Sequence, residues 1–354
     1  MGAVACAFNH IQRCEKKLAT VIESRPKSDD AIEAHRLLGA AYLREGRYRE
    51  ALVQVDALLA LRPGDSDVQD DRPLLFALSE FHDQQIVRRR STAVELQDAG
   101  LPISINGVRA TYWFDTGADV SVMSESEAKR FGLRVLAVPI RLGGLTGAQT
   151  DSRVAVAEEL SIGSIQLRHV TFLVLPDDQP PFNQSRPGEG GLVGIPVLLA
   201  LQRFAWGPDS RFAVSSKASN QGVPHADLCF DGHHPVVRIQ FENRSLTFTL
   251  DTGATNTDLY PPFAAAFPGF IRAANKTDSY KMEGVGGARN MEAAILSAVH
   301  FDIGTFPVVL SSSGVLLTPT TENSKFFYGN LGIDLLQQAH TRTFDFKAMT
   351  LTLQ

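Results

Sequence analysis

The sequence predicts a mainly β protein in which two similar β domains follow a small α-helical domain. The tetrapeptide Asp-Thr-Gly-Ala occurs twice, at residues 115–118 and 251–254, and alternating apolar residues precede each copy. This period-two alternation is typical of half-buried strands. Residues 1 to about 88 instead show the spacing of apolar residues that is expected of helices. The three expected domains are residues 1–90, 91–218 and 226–354.

The N-terminal region carries small and aromatic residues at spacings that resemble one tetratricopeptide repeat. The residues that carry the resemblance are Leu38, Gly39, Tyr42, Gly46, Tyr48, Ala51 and Pro63. The resemblance implies stacked helix pairs whose concave face binds a peptide or another protein. Aligning the preceding stretch on Pro26 places Met1 inside a first helix, so we expect an N-terminally shortened chain. A helical spacer or cap without repeats is the alternative.

The β region contains an internal repeat with a period of about 136 residues. An isoleucine stands twelve residues before the Asp of each tetrapeptide, as Ile103 and as Ile239. Each copy continues with a glycine-rich segment that predicts a hairpin tip, and it ends with an apolar segment that contains a glycine. These segments are residues 143–149 and 192–198 in the first copy, and residues 283–289 and 330–336 in the second. A repeat of this length indicates a duplicated domain.

This order of landmarks resembles the aspartic peptidases, in particular the retropepsin-like lobe, over residues 92–354. Two lobes in one chain resemble the pepsin arrangement. The resemblance implies two retropepsin-like β-barrel lobes that are related by a pseudo-twofold axis. It also implies a cleft between them that is complete in a monomer and binds a polypeptide substrate in extended conformation.

By the same resemblance, Asp115 and Asp251 are the catalytic pair. One carboxylate must take a proton from water while the other donates a proton to the scissile carbonyl, so the two groups share one proton. This mechanism requires no metal and no organic cofactor. The supporting residues of the two active-site loops are expected to be Thr116, Gly117, Ala118, Thr252, Gly253 and Ala254.

The two alanines carry an inference about pH. Pepsins commonly place a hydroxyl residue where Ala118 and Ala254 stand, and a hydrogen bond to a carboxylate lowers its pKa. Because neither copy has that hydroxyl, we expect the pKa of the pair to be higher than in pepsin. The expected working range extends from mildly acidic toward neutral pH.

Five residues are candidates for substrate binding. Asp119 is expected either to contact the substrate main chain or to be a surface loop carboxylate. The glycine-rich tips are expected to act as mobile flaps through Gly144, Gly147, Gly284 and Gly287.

Composition and charge bear on two other classes of protein, those that bind nucleic acid and those that span a membrane. The net charge of −5 without a basic stripe gives no indication of nucleic acid binding, and the chain has no apolar run of transmembrane length. His225, His233 and His234 lie near Cys229 but fit no strong zinc pattern, and we interpret them as a solvated linker. The three cysteines and the lack of a visible signal peptide leave the compartment open, with export not excluded.

The sequence therefore predicts an aspartic endopeptidase. Two alternatives stay open. One is an inactive module that binds peptides in the cleft, and the other is a scaffold whose helical repeats bind a protein partner.

Overall fold

The computed structural model describes residues 1–144, 149–215, 224–285 and 287–354. The N-terminal region is helical, and its helices are α1 Gly2–Ala7, α2 Ile11–Ser24, α3 Asp29–Arg44, α4 Tyr48–Leu61 and α5 Ser66–Leu78. The side chain of Ser28 accepts a hydrogen bond from the amide of Ala31 at 3.2 Å, which explains why α3 begins there. A disulfide joins Cys6 to Cys14 and links α1 to α2. The tetratricopeptide assignment stays a prediction.

The first β region follows without a break. Its strands are β1 Gln85–Arg88, β2 Thr92–Glu95, β3 Leu101–Ile105, β4 Val108–Phe114, β5 Ser121–Ser124, β6 Val135–Gly143, β7 Gln149–Ile162, β8 Ile165–Leu175, β9 Gly191–Val193, β10 Arg203–Trp206 and β11 Arg211–Val214. Its helices are α6 Glu125–Arg130 and α7 Ile195–Leu201. The order β8-β5-β9-β4-β3-β7 closes on itself, because β7 also pairs with β8. The result is a six-strand barrel.

The second β region repeats this kind of closure. Its strands are β12 Ala226–Asp231, β13 His234–Phe241, β14 Arg244–Leu250, β15 Asp258–Leu259, β16 Asn275–Gly284, β17 Gly287–Ile303, β18 Phe306–Leu316, β19 Gly329–Leu331, β20 Arg342–Asp345 and β21 Thr350–Leu353. Its short helices are α8 Pro261–Ala266, α9 Pro268–Ala273, a 3-10 turn Asn323–Lys325 and α10 Ile333–Leu336. The order β17-β18-β15-β19-β14-β13 closes through a pairing of β17 with β13. The pseudo-twofold axis stays a prediction.

The two β regions share one sheet. Strand β10 pairs antiparallel with β20, and β10, β11 and β2 thereby extend the sheet of the second region. At this junction the ring of Phe204 in β10 stacks on the ring of Phe344 in β20, with centroids 5.2 Å apart and an angle of 7° between the rings. Phe114, which directly precedes Asp115, packs against Trp206 of the same cluster at 5.0 Å. The first catalytic candidate therefore lies directly after a residue that is packed into the core between the two regions.

Among the described helices, none combines the length and the apolar character that crossing a bilayer requires.

Candidate active site

Each Asp-Thr-Gly-Ala loop leaves a strand at the same kind of position. Strand β4 pairs in parallel with β9, and the amide of Asp115 donates to the carbonyl of Val193 at 2.9 Å. Strand β14 pairs in parallel with β19, and the amide of Asp251 donates to the carbonyl of Leu331 at 3.0 Å. The next strand along each sheet therefore fixes the backbone of both aspartates.

The glycines after these aspartates bring the two carboxyl groups together. A Cβ atom on Gly117 would lie 2.5 Å from Cγ of Asp251, and a Cβ atom on Gly253 would lie 2.5 Å from Cγ of Asp115. Only a residue without a side chain permits such an approach. The carboxyl groups of Asp115 and Asp251 are close enough for the charge of Asp251 to raise the pKa of Asp115.

The threonines of the loops bond across the two regions. The amide of Thr116 donates to Oγ1 of Thr252, and the amide of Thr252 donates to Oγ1 of Thr116, each at 3.0 Å. Each hydroxyl then donates to a carbonyl of the opposite strand at 2.8 Å, which belongs to Leu250 for Thr116 and to Phe114 for Thr252. These four bonds tie the loops to each other and limit the distances that the carboxyl groups can adopt.

Each of the two carboxyl groups accepts backbone hydrogen bonds at its Oδ1 atom. The amide of Gly117 donates to Oδ1 of Asp115 at 2.7 Å. The amides of Gly253 and Ala254 both donate to Oδ1 of Asp251 at 2.9 Å. Burial and the neighbouring Asp251 carboxylate raise the pKa of Asp115 well above its usual range. Both effects favour the protonated form of Asp115.

Asp251 has a side-chain donor that the sequence analysis missed. Nδ2 of Asn330 donates to Oδ2 of Asp251 at 3.0 Å, and Asn330 is 2% exposed. The hydroxyl of Thr249 donates to Oδ1 of Asn330 at 2.6 Å and thereby orients the amide. In the first region, Leu192 pairs with Trp113 of β4 as Asn330 pairs with Thr249 of β14. The signal that was available in the sequence is the polar Asn330 at the position where the first copy has Leu192.

A second carboxyl group stands close to Asp251. The hydroxyl of Tyr280 donates to Oδ1 of Asp258 at 2.6 Å. Burial, together with the charges of Asp334 and Asp251, raises the pKa of Asp258 to about 6, against the lowering effect of the Tyr280 bond. The strand that follows the Asp251 loop therefore carries an acidic residue, Asp258, at the position where β5 of the first region has Val122.

The predicted flaps contact each other at their tips. A Cβ atom on Gly144, at the end of β6, would lie 2.2 Å from the carbonyl oxygen of Val285. Gly284 pairs with Gly287 at the end of the β16–β17 hairpin, and Gly287 has a φ of +112°, which favours glycine. Gly147 lies outside the described residues.

Asp119 contacts the second β region. Its Oδ2 lies 3.0 Å from Nε2 of His233, and its Oδ1 lies 3.2 Å from Nδ1 of His234. The interpretation of these two histidines as a solvated linker was wrong, because they lie at the turn between β12 and β13 and pack against the catalytic loop region. The nearby carboxylate of Asp119 raises the pKa of His233 to about 9, against the lowering effect of burial. The imidazole charges hold the pKa of Asp119 far below its usual range although burial raises it.

Part of the first β region matches a known protein family. Residues 101–197 match the family model described as aspartyl protease. This range includes Asp115 and its loop, and it ends before the second tetrapeptide. Comparison of the chain with curated proteins gives no match.

A retropepsin-like aspartic protease from Rickettsia conorii is similar to part of the chain. The two sequences are 17% identical, and the match covers 36% of this chain and 87% of that protein, with a TM-score of 0.27. The family match supports a protease function of the aspartic peptidase kind.

Proposed function

We propose that this chain is an aspartic endopeptidase in which Asp115 and Asp251 share one proton and activate a water molecule for attack on a peptide bond. The observation that carries the proposal is the reciprocal approach of Gly117 and Gly253 to the opposite carboxyl groups. Two acidic side chains from distant parts of the chain are costly to bury together unless one of them is protonated. A shared proton between them is the arrangement that general acid and base catalysis on one water requires.

The hydrogen bonds favour a division of roles within the pair. Asp251 accepts from two backbone amides and from Asn330, and donors of this kind stabilise the charged form of a carboxylate. Asp115 has a raised pKa and supplies the proton. In the proposed reaction, Asp251 takes a proton from water while Asp115 protonates the scissile carbonyl oxygen. In the collapse of the resulting gem-diol the C–N bond breaks, Asp251 gives its proton to the leaving amine, and Asp115 takes a proton from one of the two hydroxyl groups.

The proposed substrate is a polypeptide in extended conformation, since a strand-like segment satisfies its backbone by pairing with neighbouring strands. Gly144, Gly147, Gly284 and Gly287 would then form flaps that close over it. Both aspartates come from one chain, so the proposed active form is a monomer. The N-terminal helices would bind a protein partner or the substrate itself.

The test is cleavage of an unstructured protein such as casein by the purified chain between pH 4 and pH 7. We expect turnover, inhibition by a statine-type transition-state mimic, and loss of all turnover in Asp115→Asn and in Asp251→Asn. Asp302→Asn, in strand β17 of the second region, is the matched control and should leave turnover unchanged. Peptide binding without turnover at every pH would instead support the inactive binding module.

A further inference from the structure

We propose that Asp119, His233 and His234 form a binding site for one divalent transition-metal ion, with Zn²⁺ as the ion that fits best. The site would join the first β region to the second one beside the catalytic loop. It would be structural and would not take part in the chemistry of the carboxyl pair. The proposal therefore does not rest on the proposed peptidase function.

The geometry of the three side chains suits such an ion. The candidate ligand atoms, one from each residue, all lie within 4.8 Å of one another. The two closest contacts are 3.0 Å between Oδ2 of Asp119 and Nε2 of His233, and 3.2 Å between Oδ1 of Asp119 and Nδ1 of His234. Ligand atoms about 2.0–2.1 Å from a tetrahedral zinc ion lie roughly 3.3–3.4 Å apart. Small side-chain rotations are therefore enough to admit the ion.

One carboxylate oxygen of the cluster lacks a hydrogen-bond partner among the described residues. Oδ1 of Asp119 is buried and has no hydrogen-bond partner among the described residues, although Nδ1 of His234 is only 3.2 Å away. That ring nitrogen is near the oxygen without directing a hydrogen at it. A buried carboxylate oxygen without a partner costs free energy, and a cation between the two atoms removes that cost.

The surroundings provide access and partial charge balance. The three side chains keep between 24% and 35% of their exposure, so an ion can enter and a water molecule can complete the coordination. The charges that act on His233 from other elements are Asp71, which favours a cation, and Arg44, which opposes one. The guanidinium of Arg44 also donates to the carbonyl of Gly232 at 2.8 Å and so fixes the backbone next to His233.

The alternative occupant of this cluster is a proton. Two imidazolium groups around one carboxylate also make a favourable arrangement, and zinc binds only imidazole that has lost its proton. Zinc affinity should therefore increase as pH rises from 6 to 8. A cluster held only by protons would bind no zinc in this range.

Isothermal titration of the chelator-treated full chain with ZnCl₂ at pH 7.5 tests the proposal. We expect one ion per chain and a melting temperature that rises with zinc concentration. His233→Gln and His234→Gln should each weaken zinc binding at least about tenfold. Loss of a residue that only supports a metal ligand already weakens binding by about that factor, so loss of a ligand itself should weaken it at least as much. His300→Gln, which changes an exposed histidine of β17, and Asp115→Asn should bind as the unchanged chain does.

Circular dichroism of each variant shows whether it is folded. If a variant does not fold, the visible absorption of Co²⁺ bound to the unchanged chain reports tetrahedral nitrogen and oxygen coordination. Failure of the unchanged chain to bind one zinc ion, or equal binding by the folded variant His233→Gln, would overturn the proposal. Because binding and melting are measured without substrate, these outcomes are independent of peptidase activity.

Discussion

Replacing Asn330 with Leu should move the acid limb of the pH–activity profile toward neutral pH. The substitution introduces the residue that the first β region has at Leu192, and it removes the side-chain donor from Oδ2 of Asp251. Hydrogen bonds to charged groups contribute about 1.5–3 kcal/mol, and one pKa unit corresponds to about 1.4 kcal/mol. Loss of this buried bond therefore corresponds to about a ten- to hundredfold change in the equilibrium between the charged and the protonated pair.

The sign follows from the protonation state that catalysis needs. The bond favours the charged form of the pair, so without it the active, singly protonated pair forms only at higher pH. At a fixed pH below the limb, kcat should fall about ten- to a hundredfold. KM should change little, because Asn330 is buried behind Asp251.

The assay is cleavage of a fluorogenic peptide from pH 3 to pH 8, with kcat and KM determined separately. Thr249→Val is a graded variant, since it removes the hydroxyl that orients Asn330 and should give a smaller shift in the same direction. Leu192→Val is the matched packing control and should leave the limb in place. An unchanged limb in folded Asn330→Leu, or a limb that moves to lower pH, would refute the division of roles proposed for the pair.

Three further outcomes are expected from single substitutions. Gly117→Ala should reduce cleavage by at least about 100-fold, because its Cβ would displace the Asp251 carboxyl group. Gly269→Ala in α9 should not, since its Cβ would meet no atom of the described residues within 4 Å. Arg44→Ala should lower the free energy of unfolding measured in urea, by about 1–3 kcal/mol for each buried acceptor that loses its donor. Asp258 has a raised pKa, so its folded form holds a proton that the unfolded chain releases more easily, and stability should fall as pH rises from about 4 to about 6. Urea unfolding at both pH values should show a smaller loss in Asp258→Asn than in the unchanged chain, because Asp115 also contributes to it; a loss of equal size in the variant would contradict the assignment.

Local sequence was sufficient to single out the candidate pair, whose catalytic role stays a prediction. The turn chemistry of Asp-Thr-Gly and the strand pattern before it act over a few residues, and each loop glycine lies against the opposite aspartate. The expected pKa of the pair rested on Ala118 and Ala254 alone and left out the donor at Asn330. Asn330 reaches Asp251 through the parallel pairing of β14 with β19, and such long-range pairing cannot be read from local propensity.

Contacts between the two β regions were the other part that sequence could not supply. Asp119 meets His233 and His234 across more than a hundred residues of chain, and their spacing in sequence resembles no metal motif. The junction of β10 with β20 likewise depends on how the two regions pack. The helical periodicity of the first 78 residues was visible, but the disulfide between Cys6 and Cys14 was not assigned from three cysteines.

The β10–β20 junction determines how this chain can be dissected in the laboratory. A fragment that stops after the first β region, at the end of β11, would display the hydrogen-bonding edge of β10 to solvent, and uncovered edges of this kind recruit other chains and aggregate. Separate expression of the halves should fail where co-expression succeeds, since each fragment supplies the missing neighbour of the other. An engineer who wants a minimal single-barrel version would first have to redesign that edge with charged residues or proline.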